Sequence, residues 1–504
     1  MDMYPLHHIA QWLDRTTMYR VVLYVLTGIT VAAFVLSCAH IIPPLPVELM
    51  LSLLTIGAAA LLMHALLARL TGAPANIESS FITAFILFLI LTPAQSLAGL
   101  LTNAAIAASA MALKYLVVYR KRHLFNPAAL ALLITGALGY AGVEWWVGSR
   151  YLLPVVCIAA LLVVAKIRRW EIFLTYICAS TAITVIASFG SEMPLAVLTH
   201  HFLSWPTVFF AGIMLTEPLG LPSTRRLQYA FACIVAALSS IPWHIGSVYA
   251  TPELALILGN LFTFVVDRPE RFMLTFRERI AVGAGAFEYR FAAPHTSLHM
   301  AGQYLEWTLP HTTPDTRGIR RYFTIVSAPG TPELAFAVRH IDKQSSFKQA
   351  LAALVPGAVM YATQRAGDFT VRKGTPHHVW IAGGIGITPF MSMMRDAAAR
   401  SEHIPATLFN CNKTEGDILF RDELARAGDV GVTVVNVLVE KPTFADYELG
   451  FLTVDIIKKH VPDWAAATYY ISGPPPMVNA YTKLLKDMKI PRARIITDYF
   501  PGLA

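Results

Sequence analysis

Between Asp14 and Asp267 this chain contains no aspartate, and its acidic side chains there are Glu48, Glu78, Glu144, Glu171, Glu192, Glu217 and Glu253. A charge at the centre of a bilayer costs roughly 2.5–3.5 kcal/mol on insertion scales, so such depletion is what lipid demands. That rules out an ordinary soluble fold for the first half. The whole chain of 504 residues is 55% hydrophobic and 14% charged, too apolar for a soluble protein of this length. From about residue 267 mixed charges return. The net charge of +8 does not mark a nucleic-acid surface, because basic clusters recur at the ends of hydrophobic segments. They are Arg15 with Arg20, Arg69, Arg120 to His123, Lys166 with Arg168 and Arg169, Arg225 with Arg226, and Arg268 with Arg271. This is the positive-inside pattern, and it places the amino terminus in the cytoplasm.

Ten hydrophobic segments follow, approximately 20–42, 46–68, 79–93, 95–118, 125–143, 151–167, 171–189, 194–216, 227–242 and 250–266. A full span needs about 20 residues, so the shorter ones read as tilted or broken helices. Ten crossings return the chain to the cytoplasm at Asp267. The third segment ends Phe85 to Pro93 and the eighth ends Phe209 to Pro218, both with Leu-Thr and then Pro. Five helices per copy would make the second copy inverted, an arrangement that builds sites near the midplane; chance coincidence of two Thr-Pro ends is the alternative. The cysteines (Cys38, Cys157, Cys178, Cys233, Cys411) lack any spacing for iron–sulfur or zinc, and no metal site is expected.

After a linker around Asp267–Phe276, alternating residues with glycines predict a small antiparallel barrel to about Lys373. Strand–turn–helix alternation then predicts a doubly wound, mostly parallel α/β sheet. The expected domains are 1–266, 267–375 and 376–504. Three segments stand in order: Arg320 to Pro329, Ile381 to Phe390 and Tyr469 to Val478. Gly383, Gly384 and Gly386, followed by Thr388 and Pro389, close a strand and open a helix, letting backbone approach a pyrophosphate. One glycine-rich turn is weak evidence; the three segments together are specific.

On these motifs residues 275–504 resemble the ferredoxin–NADP reductase superfamily, which implies FAD on the barrel and NAD(P)H on the sheet. Arg321, Phe323 and Thr324 match its arginine–x–aromatic–Ser/Thr motif. The resemblance implies Arg321 on the flavin pyrophosphate through paired charge-assisted bonds, Phe323 over the ring, and a catalytic Thr324 at flavin N5. An alternative register uses Tyr322, since alternation turns one of the pair away. Ala301 to Trp307 resembles the preceding barrel strand. Ser345 and Ser346 would start the helix that caps the flavin phosphates, although Ser is also a plain N-cap. Ser472, in the catalytic position, stands where the family commonly has cysteine beside the nicotinamide, followed by Gly473 and Pro474. A terminal aromatic, Tyr499 or Phe500, would lie near the flavin or pack in the last strand. Lys413 is the one base placed for a ribose 2′-phosphate, and Glu415 and Asp417 beside it favour NADH over NADPH.

The first half resembles the NqrB/RnfD membrane subunits, on Arg122 to Ile134 and Met214 to Arg226. That resemblance implies a flavin carried in the membrane. The family's covalent FMN hangs from a threonine; in the matching stretch, Gly190 to Ala196, Met193 takes its place. A thioether cannot form that phosphoester, so non-covalent FMN or riboflavin is expected. The membrane-half histidines (His40, His64, His123, His200, His201, His244) lack the paired spacing of two-haem reductases, which argues against haem. Glu217 reads either as an intramembrane functional group or as a boundary residue paired with Arg225 or Arg226. The resemblances together imply a multi-pass, FAD-dependent NAD(P)H dehydrogenase of the inner membrane with its reductase domains in the cytoplasm. Its acceptor would be an extracytoplasmic FMN-binding or other redox protein, with quinone reduction or redox-driven ion transport as alternatives.

Overall fold

The computed structural model describes residues 8–498 apart from 10–11, 14–15, 72–76, 120–121, 140–142, 190–193, 247, 268–270, 284, 294–298, 313, 316–317, 341–343, 373 and 442–446. Met193, Tyr499 and Phe500 therefore lie outside the described residues. The chain divides into two compact units, one up to Pro269 and the other from Glu270 to Phe500.

The first unit is helical: α1 (Met18–Cys38), α2 (Pro46–Thr71), α3 (Ile77–Ile90), α4 (Leu97–Leu116), α5 (Pro127–Ala137), α6 (Leu153–Ile167), α7 (Trp170–Ala187), α8 (Pro194–Leu203), α9 (Thr207–Phe209), α10 (Arg225–Ser240) and α11 (Pro252–Val266). Local chemistry sets several starts. Thr17, Ser96, Asn126 and Thr251 each accept a backbone N–H as N-cap, and Pro127 and Pro252 open α5 and α11. Among the described residues α1, α2, α4 and α7 are long and apolar enough to cross a membrane, and α3, α5, α6 and α11 are shorter apolar helices. The eighth hydrophobic segment is not one helix. It breaks between α8 and α9, with Pro206 at the break, and α9 runs into a π-helical turn, Phe210–Met214. Close helix approach rests on small residues: a Cβ on Gly212 would collide with Ala160, and one on Gly259 with Val235 and Phe231.

The Pro93 and Pro218 helix ends share one physical problem, freed backbone carbonyls in an apolar medium. At the first, Trp146 Nε1 donates to the carbonyls of Phe88 and Leu91 (2.9 and 3.1 Å), and Asn103 Nδ2 donates to that of Thr92 at 3.2 Å. At the second, Asn260 Nδ2 and Thr263 Oγ1 donate to the Gly220 carbonyl at 3.4 and 3.0 Å.

The second unit holds two sheets. β1 (Arg271–Gly283), β2 (Ala286–Ala292), β3 (Tyr304–Thr308), β4 (Arg320–Thr324), β5 (Glu333–Arg339) and, after α12 (Ser346–Ala352), β6 (Val359–Ala366) form an antiparallel sheet of order β4-β3-β6-β1-β2-β5. Its edge strands meet where Val326 N–H donates to the Ala335 carbonyl at 2.8 Å, so the sheet is rolled around Phe291, Trp307 and Phe336. The second sheet is parallel. β7 (His378–Gly383), α13 (Thr388–Arg400), β8 (Ala406–Asn412), β9 (Val432–Leu438), β10 (Glu448–Leu449), α14 (Val454–His460), β11 (Thr468–Ser472), α15 (Pro475–Asp487) and β12 (Ile495–Thr497) give the order β10-β9-β8-β7-β11-β12. β7 and β11 are buried along their whole length, which is why they read as continuous apolar runs.

Candidate functional site

Strand order in the parallel sheet reverses between β7 and β11, so a crevice opens at their carboxyl ends, where such folds bind ligands. All the glycine-motif residues gather there. A Cβ on Gly386 would collide with the Ser472 carbonyl oxygen, so this closure requires glycine there, while one on Gly383 would meet the flexible Met477 side chain. Gly384 has φ +53°, and nothing lies within 4 Å of where its Cβ would be. It presents open backbone at the entry to α13, whose first turn carries Thr388 and Pro389. Thr388 Oγ1 donates to the Ile385 carbonyl at 3.2 Å. Gly473 and Pro474 lead into α15 opposite. Ser472, 2% exposed, donates from Oγ to Asp498 Oδ2 at 3.1 Å. Asp498 carried no motif signal; β12 pairing brings it in, its N–H donating to the Ile471 carbonyl at 2.9 Å.

On the antiparallel sheet, alternation decides between the two registers of β4. Phe323, opposite Leu305, points into the core and stacks on Phe336 with centroids 4.6 Å apart and planes 10° from parallel, beside Phe347. Phe323, expected over the flavin ring, is partly buried and has one face of its ring against Phe336. Tyr322 lies on the opposite face with Arg320 and Thr324, edge-on to Tyr304 at 5.7 Å. Glu306, nearly buried, accepts from Tyr322 OH (3.4 Å) and Thr363 Oγ1 (3.1 Å) and lies 3.7 Å from Arg320. Arg320 and Glu306 were missed; counting back by two from Tyr322 finds the first. Arg321 shares the Phe323 face. Its guanidinium donates to the carbonyls of Gly318 and Arg320 (3.0 and 2.6 Å) and lies 3.3 Å from Asp315, which also accepts from Ser346 N–H at 3.2 Å. Ser345 acts as the N-cap of α12, accepting from Lys348 N–H. Asp315 thus joins Arg321 to the start of α12. Arg321, bonded to carbonyls that phosphate oxygens would replace and joined through Asp315 to the start of α12, fits a diphosphate. Tyr322 and Phe323 thus occupy opposite faces of β4, Phe323 against Phe336 and Tyr322 against Tyr304.

The acids expected to favour NADH are already engaged. Asp417 accepts from Thr414 N–H and Oγ1 (3.1 and 2.8 Å) and pairs with Arg339 at 3.0 Å, while Glu415 lies 3.6 Å from Arg421. Lys413 lies 3.3 Å from Glu440.

In the helical unit Glu217 Oε2 accepts from Asn126 Nδ2 at 2.8 Å, and Oε1 lies 3.5 Å from His123 Nε2. Pairing with Arg225 is corrected: that arginine lies 3.9 Å from Glu171. Glu217 faces a cavity whose lining includes Met18, Ile82, Lys114, Asn126, Ile213 and Thr216. Lys114 Nζ donates to Ser79 Oγ at 2.7 Å. His64 and His201 hydrogen-bond between helices, to Tyr115 OH at 2.9 Å and to Ser180 and Thr184 at 3.4 Å.

Residues 380–483 match the model of the oxidoreductase NAD-binding domain, and residues 132–273 match that of the NQR2, RnfD, RnfE family. Both matches fall within one polypeptide. NADH-cytochrome b5 reductase 2 of Rattus norvegicus is 35% identical over 132 residues, which cover 24% of this chain and 46% of that protein. The reductase component of propane 2-monooxygenase from Gordonia sp. is 25% identical over 221 residues, 42% of this chain and 62% of that protein. NADH-cytochrome b5 reductase 1 of Aspergillus fumigatus is 24% identical over 291 residues, 55% and 93% respectively. The chain thus spans less than two thirds of the first two relatives. Among solved structures, Amycolatopsis cytochrome P450 reductase GcoB aligns with TM-score 0.41 and 24% identity, covering 46% of this chain and 70% of that one.

Proposed function

We propose that this chain is a membrane-bound, FAD-dependent NAD(P)H dehydrogenase that passes electrons from the cytoplasm through its helical half to an extracytoplasmic redox protein. The observation that carries it is the glycine-lined crevice between β7 and β11, in the segment that matches an oxidoreductase NAD-binding domain, joined to an NQR2/RnfD/RnfE-type half. In this reading the rolled sheet, residues 267–375, is the flavin barrel, residues 376–504 take the dinucleotide, and residues 1–266 cross the inner membrane ten times as two inverted halves. When bound, FAD accepts hydride and releases electrons one at a time. Arg321 and the start of α12 at Ser345 and Ser346 would hold its diphosphate, Tyr322 its ring, and Thr324 would stand beside the reacting edge. Gly384 and the entry to α13 take the dinucleotide pyrophosphate, and Ser472, held by Asp498, meets the nicotinamide.

A hydrocarbon core of about 30 Å is too thick for one electron hop and needs an embedded carrier. The Glu217 cavity supports a non-covalent FMN or riboflavin there. Its lining is mostly apolar, with Lys114, His123, Asn126 and Glu217 as the converging polar groups that would hold a ring and a phosphate. Anaerobic NADH should bleach the yellow protein, and acid extraction should release FAD together with FMN or riboflavin. Colourless protein would falsify the dehydrogenase reading; FAD as the sole flavin would remove the embedded one. A second reading, redox-driven ion transport, is favoured by Glu217 as a carboxylate within the helical half. Sodium-dependent turnover in proteoliposomes is its test.

A further inference from the structure

Away from the crevice, one segment of the dinucleotide lobe, residues 417–424, is strapped to the rolled sheet. Arg395 on α13 carries most of it. Its Nε and Nη2 donate to the two carboxylate oxygens of Glu423 (2.8 and 2.7 Å), and Nη2 also to Glu288 Oε2 on β2 at 2.8 Å. Its Nη1 donates to the Val326 carbonyl, just beyond β4, at 3.3 Å. Glu288 is 1% exposed and also accepts from Arg290 Nε at 2.8 Å. Nearby, Arg339 on β5 donates to the Asp417 carboxylate and carbonyl (3.0 and 3.1 Å), and Phe420 N–H donates to the Val282 carbonyl at 2.8 Å. A Cβ on Gly283 would collide with Leu419. α13 begins at the glycine turn, so the helix that receives the dinucleotide is the same helix that grips the flavin sheet.

We propose that Arg395 is a positioning residue for hydride transfer: by bridging Glu288 and Glu423 it sets the distance between the flavin-bearing sheet and the nicotinamide crevice. The inference rests on the dehydrogenase reading above. Guanidinium suits the task because its planar fork reaches both carboxylates and a carbonyl at once, which an ammonium on a flexible stem cannot do. Misplacement of reacting groups by about 1 Å costs on the order of 100-fold in rate.

The test uses the purified full chain. Arg395→Lys should keep its FAD and bind NAD+ within about twofold of the parent, yet bleach roughly 10- to 100-fold more slowly with NADH in anaerobic stopped flow. The deuterium isotope effect with 4-deuterated NADH should rise as hydride transfer becomes limiting, whereas chemical reduction by dithionite should be unchanged. Glu423→Gln, which leaves the Glu288 contact intact, should give a smaller loss of the same kind and serves if Arg395→Lys does not fold. An unchanged bleaching rate and isotope effect in the variant that folds would overturn the proposal. Equal slowing with NADH and dithionite would overturn it as well. A parent protein that NADH does not bleach would instead overturn the dehydrogenase reading itself.

Discussion

At the scale of single residues, the contest between Tyr322 and Phe323 is decided by which face of β4 each occupies, and the two predict opposite phenotypes. Phe323→Ala removes a partly buried ring stacked on Phe336 and should cost roughly 0.5–3 kcal/mol of stability, read as a lower Tm. Tyr322→Ala should leave Tm nearly unchanged and release FAD, read as the flavin-to-protein absorbance ratio after gel filtration. The reverse pattern would restore the register that the motif suggested. Asp417 makes a second case. As a cap and ion-pair partner it should matter for folding, not coenzyme choice, so Asp417→Asn should lower Tm while the ratio of NADH to NADPH activity stays within about twofold of the parent, as for a residue whose contacts are internal. A switch towards NADPH would show that the carboxylate does face the ribose.

At the scale of elements, the β7–turn–α13 unit was legible because its requirement is local: a chain leaving one strand must pass close to β11 and open its amides outward. Gly386→Ala should therefore weaken NAD+ binding at least tenfold by equilibrium titration, with the flavin sheet and its FAD content unaffected; retained affinity would mean the turn tolerates a side chain. The broken helices of the first unit were half legible. Leu-Thr and then Pro announced two helix ends, but not the break at Pro206 nor the π turn after it. Those depend on how α9 packs against α6, where Gly212 meets Ala160. Lys114→Met should lower the FMN or riboflavin recovered by acid extraction without lowering FAD, because the helical cavity and the flavin sheet belong to different units.

At the scale of the whole molecule, the second unit depends on a buried charge cluster with a defined pH response. Burial alone would raise the Glu288 pKa, but hydrogen bonds and charge from Arg395 and then Arg290 outweigh it and hold the group below its ordinary value. Glu278, Glu333 and Glu423 share those arginines. A carboxylate depressed on folding contributes stability that is fully present above its unfolded pKa, about 4.3, and is lost as pH falls through the folded one. Tm should thus fall more steeply in acid for the parent than for Glu288→Gln; parallel curves would assign the acid response elsewhere.

The membrane half, the order of the two lobes and the glycine turn could be read from the amino-acid order alone, because depletion of charge, period-two alternation and a tight turn each act within a few neighbours along the chain. Three features were settled only by the tertiary structure. These are the face that Tyr322 presents, the pairing of Glu217 with Asn126 rather than Arg225, and the bridge from Arg395 to Glu288. Each is a contact or orientation fixed by sheet register or by packing between segments far apart in the chain, and composition carries no trace of which distant partner a charge will meet.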